Sequence, residues 1–189
     1  MQERLGQARA LYRKGSPAEA RPLFESLLPE LRKQPDKADL ALALMLLGQI
    51  AIDQGDYQRG ADWSREAADA YRAAGDQTSR MMAVNNFGRA DVYRGAYASA
   101  LASYEEVLAF ARASGNREAQ VEELNNIGNV HYYQARYLEA RQAFDDALKL
   151  VDQAGSAPWA GRRRRITLSN QAVLYQRLGR EQQAIELYR

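Results

Sequence analysis

The 189-residue chain carries 26 Lys+Arg against 24 Asp+Glu, a formal net charge of +2, which gives no global drive toward nucleic acid or a membrane surface. Its composition, 46% hydrophobic and 26% charged, is that of an ordinary globular protein, and no window approaches the roughly 18 consecutive apolar residues of a membrane helix. The absence of cysteine excludes disulfide and thiolate chemistry, and the opening MQERLGQARA lacks the apolar core of a secretory signal, so a cytoplasmic protein is expected.

The first periodic stretch, RLGQARALYRKG from residue 4, reads as a helix. GSPAE then offers Ser16 as N-cap, Pro17 at the first helical position and Glu19 three residues after the cap, the start of a second helix. Further along, LMLLG at 44, VNNFG at 84 and LNNIG at 124 fall in phase at an interval of 40 residues; LSNQAVLYQRLG from 168 continues the series with four extra residues. Within each unit a short break near 55, 95, 135 and 178 separates two helical stretches, so each unit is a helical hairpin. Between units, AAGD at 73, ASGN at 113 and QAGS at 153 place a Gly where a helix ends and Asp76, Asn116 or Ser156 where the next is capped. In the longer last joint, Pro158 is expected to start the helix.

These residues resemble the tetratricopeptide repeat, in the long form with 40-residue units typified by kinesin light chain. In the unit from 121 the pattern is carried by Leu124, Ile127, Gly128, His131, Ala135, Tyr137, Ala140, Phe144 and Ala147. The unit from 41 departs from it, with Ser64 where the aromatic belongs and Trp63 beside it. The family's usual terminal Pro would fall at Arg72, Arg112 and Asp152, and its absence lets the second helices run on. Small residues Gly48, Gly88, Gly128, Ala100, Ala140 and Ala184 would sit where paired helices approach closely. The resemblance implies an all-α fold, a right-handed superhelical solenoid of stacked antiparallel helix pairs whose first helices line a concave groove. About four and a half repeats are expected over residues 1–189 as one domain, with units starting near 1, 41, 81, 121 and 165. The last unit stops partway through its second helix, which points to excision from a longer protein.

Chemistry-bearing groups are sparse. His131, the single histidine, occupies a packing position, and Glu118, Glu122 and Glu123 give it no ligand spacing on one helix face. The pairs Glu105-Glu106 and Asp145-Asp146 read as solvated surface. No catalytic residue, metal site or cofactor is expected, and the chain does not read as an enzyme. The run Arg162, Arg163, Arg164 and Arg165 wraps a full helical turn, so its members cannot all face one partner. It reads as a solvated edge or as a docking patch for an acidic segment.

At 100° per residue the stripe Leu124, Ile127, Gly128 and His131 occupies one side of its helix, which puts Asn126, Asn129 and Tyr133 on the other, with Asn125 at the margin. The corresponding positions are Met82, Asn86, Arg89 and Tyr93 before it, and Ile166, Asn170, Val173 and Arg177 after it. An amide both donates and accepts, so the ladder Asn86, Asn126 and Asn170 can pair with the backbone of an extended peptide. Asn125 is the better candidate for a structural bond to a neighbouring helix. The functional expectation is a non-catalytic module that binds a peptide or partner segment in the groove, with no nucleic acid or membrane partner. The alternative is a structural role, by end-to-end self-association or as the sensor arm of a larger bacterial regulator.

Overall fold

In a computed structural model of the protein, which describes residues 1–187, the chain forms helices α1 (Gln2–Arg13), α2 (Pro17–Lys33), α3 (Ala38–Asp53), α4 (Tyr57–Ala73), α5 (Gln77–Tyr93), α6 (Tyr97–Ala113), α7 (Arg117–Tyr133), α8 (Tyr137–Gln153), α9 (Ala160–Arg177) and α10 (Glu181–Leu187). No strand occurs among the described residues. The second helices α4, α6 and α8 each have 17 residues and begin 40 residues apart. Each continues one residue past the position where the family's proline would stand, as its absence there predicts. No helix of the described residues is long and apolar enough to cross a membrane.

Local signals explain most of the boundaries. The carboxylate of Asp76 accepts from the Ser79 amide at 2.9 Å, and the Asn116 side chain accepts from the Ala119 amide at 3.1 Å. Each satisfies one of the orphan donors at a helix start. Ser16 holds the N-cap position of α2 with Pro17 directly after it, without a side-chain cap bond. The last joint departs from expectation: Ser156 caps nothing and Pro158 lies outside the helix, because the four extra residues form additional turns and α9 starts at Ala160.

Apart from the α2–α3 joint, the hairpin and unit joints turn through a left-handed residue, which is glycine at 15, 55, 75, 95, 115, 155 and 179. In the turn after α7 that residue is Ala135, at φ 59°. A Cβ in this conformation costs about 1–2 kcal/mol, partly offset by the greater unfolded-state freedom of Gly. Ala135→Gly is therefore expected to stabilise the protein by about 0.5–1 kcal/mol, read as a rise in the urea midpoint at unchanged slope.

The chain divides into two compact units, Met1–Ser103 and Tyr104–Arg189. In the first, α1 to α5 pack pairwise in chain order around Phe24, Leu27, Leu31, Leu44, Leu47 and Ile50, all of them buried. The helices α3 and α4 come closest at Gly48, where an added Cβ would lie 2.5 Å from Ser64 Oγ and 3.3 Å from the Gly60 carbonyl oxygen. Ser64 is small because α3 leaves it no room. The aromatic displaced from that position is Trp63, which turns toward α2 and lies under the Arg21 guanidinium, 5.2 Å from the ring centroid.

In the second unit α7, α8, α9 and α10 pack in the same order, around Ala140, Phe144 and Leu174 with Tyr132 and Tyr137 against them. Gly128 faces the Phe144 ring here, and a Cβ would come within 2.4 Å of it. The close-approach role expected of Gly48 and Gly128 is thus filled by two different neighbours, a serine and a phenylalanine.

Candidate functional site

In the second unit the adjacent asparagines of α7 point different ways. Asn125 is buried: its Nδ2 donates to the Val121 carbonyl at 2.8 Å and to Thr167 Oγ1 at 2.9 Å, and its Oδ1 accepts from Asn170 Nδ2 at 2.9 Å. Thr167 Oγ1 in turn donates to the Arg163 carbonyl at 3.0 Å. This network ties α7 to α9 and satisfies a polar side chain that would be costly to bury alone. Asn126 is half-buried, and its Nδ2 donates to Glu123 Oε2 at 3.2 Å.

The stripe expected to face a ligand carries exposed apolar groups. On α7 it holds Asn126 and Asn129, both half-buried, and Tyr133, 55% exposed. On α9 it holds Ile166 and Val173, 39% and 41% exposed, with Asn170 between them. Arg177 at its end is exposed and donates from Nε to the Tyr137 hydroxyl at 3.3 Å. The Asn170 amide is divided, since its NH2 group donates into the fold at Asn125.

The first unit has its own stripe on α5. Met82 and Tyr93 are 55% and 58% exposed, and Asn86 and Arg89 between them are half-buried. Tyr93 stacks on Tyr57 of α4 with centroids 4.7 Å apart and planes 13° from parallel. Tyr recurs at 57, 97 and 137, just after each hairpin turn. Arg89 Nη2 reaches Asp53 Oδ1 of α3 at 3.4 Å, and Gln49 Nε2 lies 2.8 Å from both oxygens of that carboxylate. Large apolar side chains exposed elsewhere are Met1, Leu138, Leu178 and Ile185.

The arginine run is distributed over several acids of its own unit. Arg162 Nη2 and Arg163 Nε bind Glu118 Oε1 at 2.8 and 3.1 Å, Arg163 Nη2 also binds Glu122, and Arg164 pairs with Asp152. Arg165 is exposed. The full turn described by four consecutive residues sends two arginines to α7 and one to α8. A signal for this was present in the sequence: Glu118 and Glu122 are one helical turn apart, on the first helix of the preceding repeat.

His131 is half-buried on α7, with Nδ1 enclosed and without a hydrogen-bond partner. Burial holds its pKa below the ordinary histidine value, against the opposing attraction of Glu139. Among the described residues no three His, Asp or Glu side chains come together as metal ligands.

Residues 119–189 match the tetratricopeptide-repeat family model. The fold is that of solved solenoids of this kind. The nearly identical TPR-like repeats of a kinesin light chain protein from Podosopora anserina superpose with a TM-score of 0.77 at 16% identity, over 99% of this chain and 90% of that one. The apo form of RapI gives a TM-score of 0.82 at 12% identity, over 98% of this chain and 66% of RapI. NprR, a quorum sensor of B. thuringiensis, in complex with its cognate peptide NprX gives 0.74 at 19% identity. This chain is covered over 98% there and spans about half of NprR, 53%. No curated protein matches the sequence.

Proposed function

We propose that this protein is a non-catalytic binding module that holds an extended peptide or partner segment against the exposed stripes of its first helices. The observation that carries the reading is the alternation along those stripes, in each unit, of exposed apolar side chains with amides: Met82, Asn86 and Tyr93 in one, Asn126, Asn129 and Tyr133 with Ile166, Asn170 and Val173 in the other. A stripe facing water alone gains nothing from exposed Met, Ile and Val. A peptide covering them removes apolar area from water while the amides pair with its backbone. The peptide complex of NprR, which shares the fold, supports the class of ligand.

A random peptide library displayed on phage tests this. The wild-type protein is expected to enrich specific sequences. For a peptide so selected, Asn126→Ala should weaken binding by about 1 kcal/mol, roughly fivefold in Kd. Val173→Asp should weaken it more, at unchanged far-UV circular dichroism. Enriched peptides indifferent to both changes would place the binding surface elsewhere. The second reading, end-to-end association as an assembly or sensor arm, is favoured by Leu178 and Ile185, 40% and 47% exposed at the α9–α10 corner. It requires a concentration-dependent sedimentation coefficient that Ile185→Asp abolishes.

A further inference from the structure

Arg89 is held more loosely than Arg32 and Arg21 of the first unit. Arg32 grips Glu66 with two bonds, Nε and Nη2 each 2.8 Å from one carboxylate oxygen, and Arg21 holds Glu25 and Asp56 at 2.9 Å. Those are the lengths of charge-assisted bonds. Arg89 offers the same Nε–Nη2 edge, yet Nη2 makes one contact with Asp53 at 3.4 Å, and Nε is buried without any partner. Asp53 is better satisfied by Gln49, 2.8 Å from both its oxygens, and remains 60% exposed. The half-buried phenol of Tyr12 on α1 feels both charges, raised in pKa by burial first and by Asp53 next, against the pull of Arg89. The one ionic contact of this guanidinium is therefore long, on the stripe that also carries Met82, Asn86 and Tyr93.

Resting on the peptide-binding reading above, we infer that Arg89 reads an acidic side chain of the bound segment, and that Asp53 is a place-holder that loosely covers the arginine until that carboxylate displaces it. The occupant is fixed by charge and geometry. A guanidinium holds a well-placed carboxylate at 2.8–2.9 Å, as Arg32 and Arg21 do, whereas Asp53 lies at 3.4 Å. An Asp or Glu in the segment replaces the long Asp53 contact at Nη2, its backbone lies within reach of the Asn86 amide three residues earlier on the same face, and Asp53, held at Gln49 and open to solvent, has room to withdraw. Competition from Asp53 selects against segments lacking the acid, since only a carboxylate outbids it for the arginine.

The test uses the full chain and the same displayed library, in which peptide C-termini are fused and carry no free carboxylate. The wild type is expected to enrich Asp or Glu at one fixed position, and Arg89→Gln to lose that preference while still enriching peptides. For a selected acidic peptide, Asp53→Asn should tighten binding on the order of tenfold by removing the competitor, and the wild-type affinity should fall as salt rises. Replacing the peptide's acid by its amide should cancel both effects. Enrichment without an acidic position, or binding unchanged in Arg89→Gln, overturns this inference and leaves the peptide-binding reading standing. Weaker or equal binding by Asp53→Asn overturns the place-holder role. Binding confined to synthetic peptides with a free C-terminus, lost on amidation, overturns the side-chain assignment. No enrichment by the wild type overturns both readings.

Discussion

Asn125→Ala is expected to lower the stability of the protein by about 1–3 kcal/mol, measured by urea or thermal unfolding. The substitution removes a buried amide that makes three bonds at 2.8–2.9 Å and leaves Thr167 and Asn170 facing a hole. Thr167 keeps its bond to the Arg163 carbonyl, so the stranded groups are chiefly the Asn170 amide and the remaining Thr167 lone pairs. Its neighbour behaves differently. Asn126→Ala exchanges a poor helix former for the best one, a gain of roughly 0.5 kcal/mol, and loses a 3.2 Å bond to Glu123 of similar worth. The net change is expected to stay within about 0.5 kcal/mol of zero. The reverse order of the two mutants would show that Asn126, not Asn125, joins the helices.

Gly128→Ala is the other large effect, about 1–3 kcal/mol of destabilisation from overpacking. Three atoms of the Phe144 ring would stand 2.4, 2.8 and 2.9 Å from the new Cβ. The ring cannot retreat, being buried among Ala140, Leu174, Tyr132 and Tyr137. Phe144→Leu should relieve the clash, so the double mutant is expected to lose less than the two single mutants added together, a test that a purely conformational effect of alanine would fail. Gly161 in α9, whose Cβ would meet nothing within 4 Å, is the control: Ala there should be neutral or stabilise by up to about 1 kcal/mol.

Much of this architecture was legible because each repeat states it again. The glycine turns and the Asp76 and Asn116 caps are local chemistry, readable within a few residues. Ser156, also a favourable capping residue after a glycine, caps nothing, because the four added residues change where α9 begins. Local patterns cannot report that. The stripe of first-helix side chains was also readable, since a 100° step fixes which residues share a face. What the step does not give is partnership across helices. The contacts of Arg162 and Arg163 with Glu118, of Asn125 with Thr167, and of Arg89 with Asp53 join residues 36–45 positions apart, and depend on how one hairpin is offset along the next. The arginine run therefore read as a solvated edge or a docking patch, although Arg163 is only 13% exposed and sits between two glutamates. Ser64 could be seen as an exception to the aromatic pattern, but only the approach of Gly48 explains it.

Within each unit, helices touch their immediate successors or, as α3 with α5 and α7 with α9, the next but one. No helix of a unit waits for a remote segment to arrive before it can be buried. Chains wired this way close short loops, and the entropy of closure rises only slowly with length. Assembly can begin at whichever hairpin forms first and spread outward by accretion, without a single obligatory nucleus. The Asn125–Thr167–Asn170 contact then sets the register of that growth: a slip of α9 along α7 would part three polar groups that bond one another.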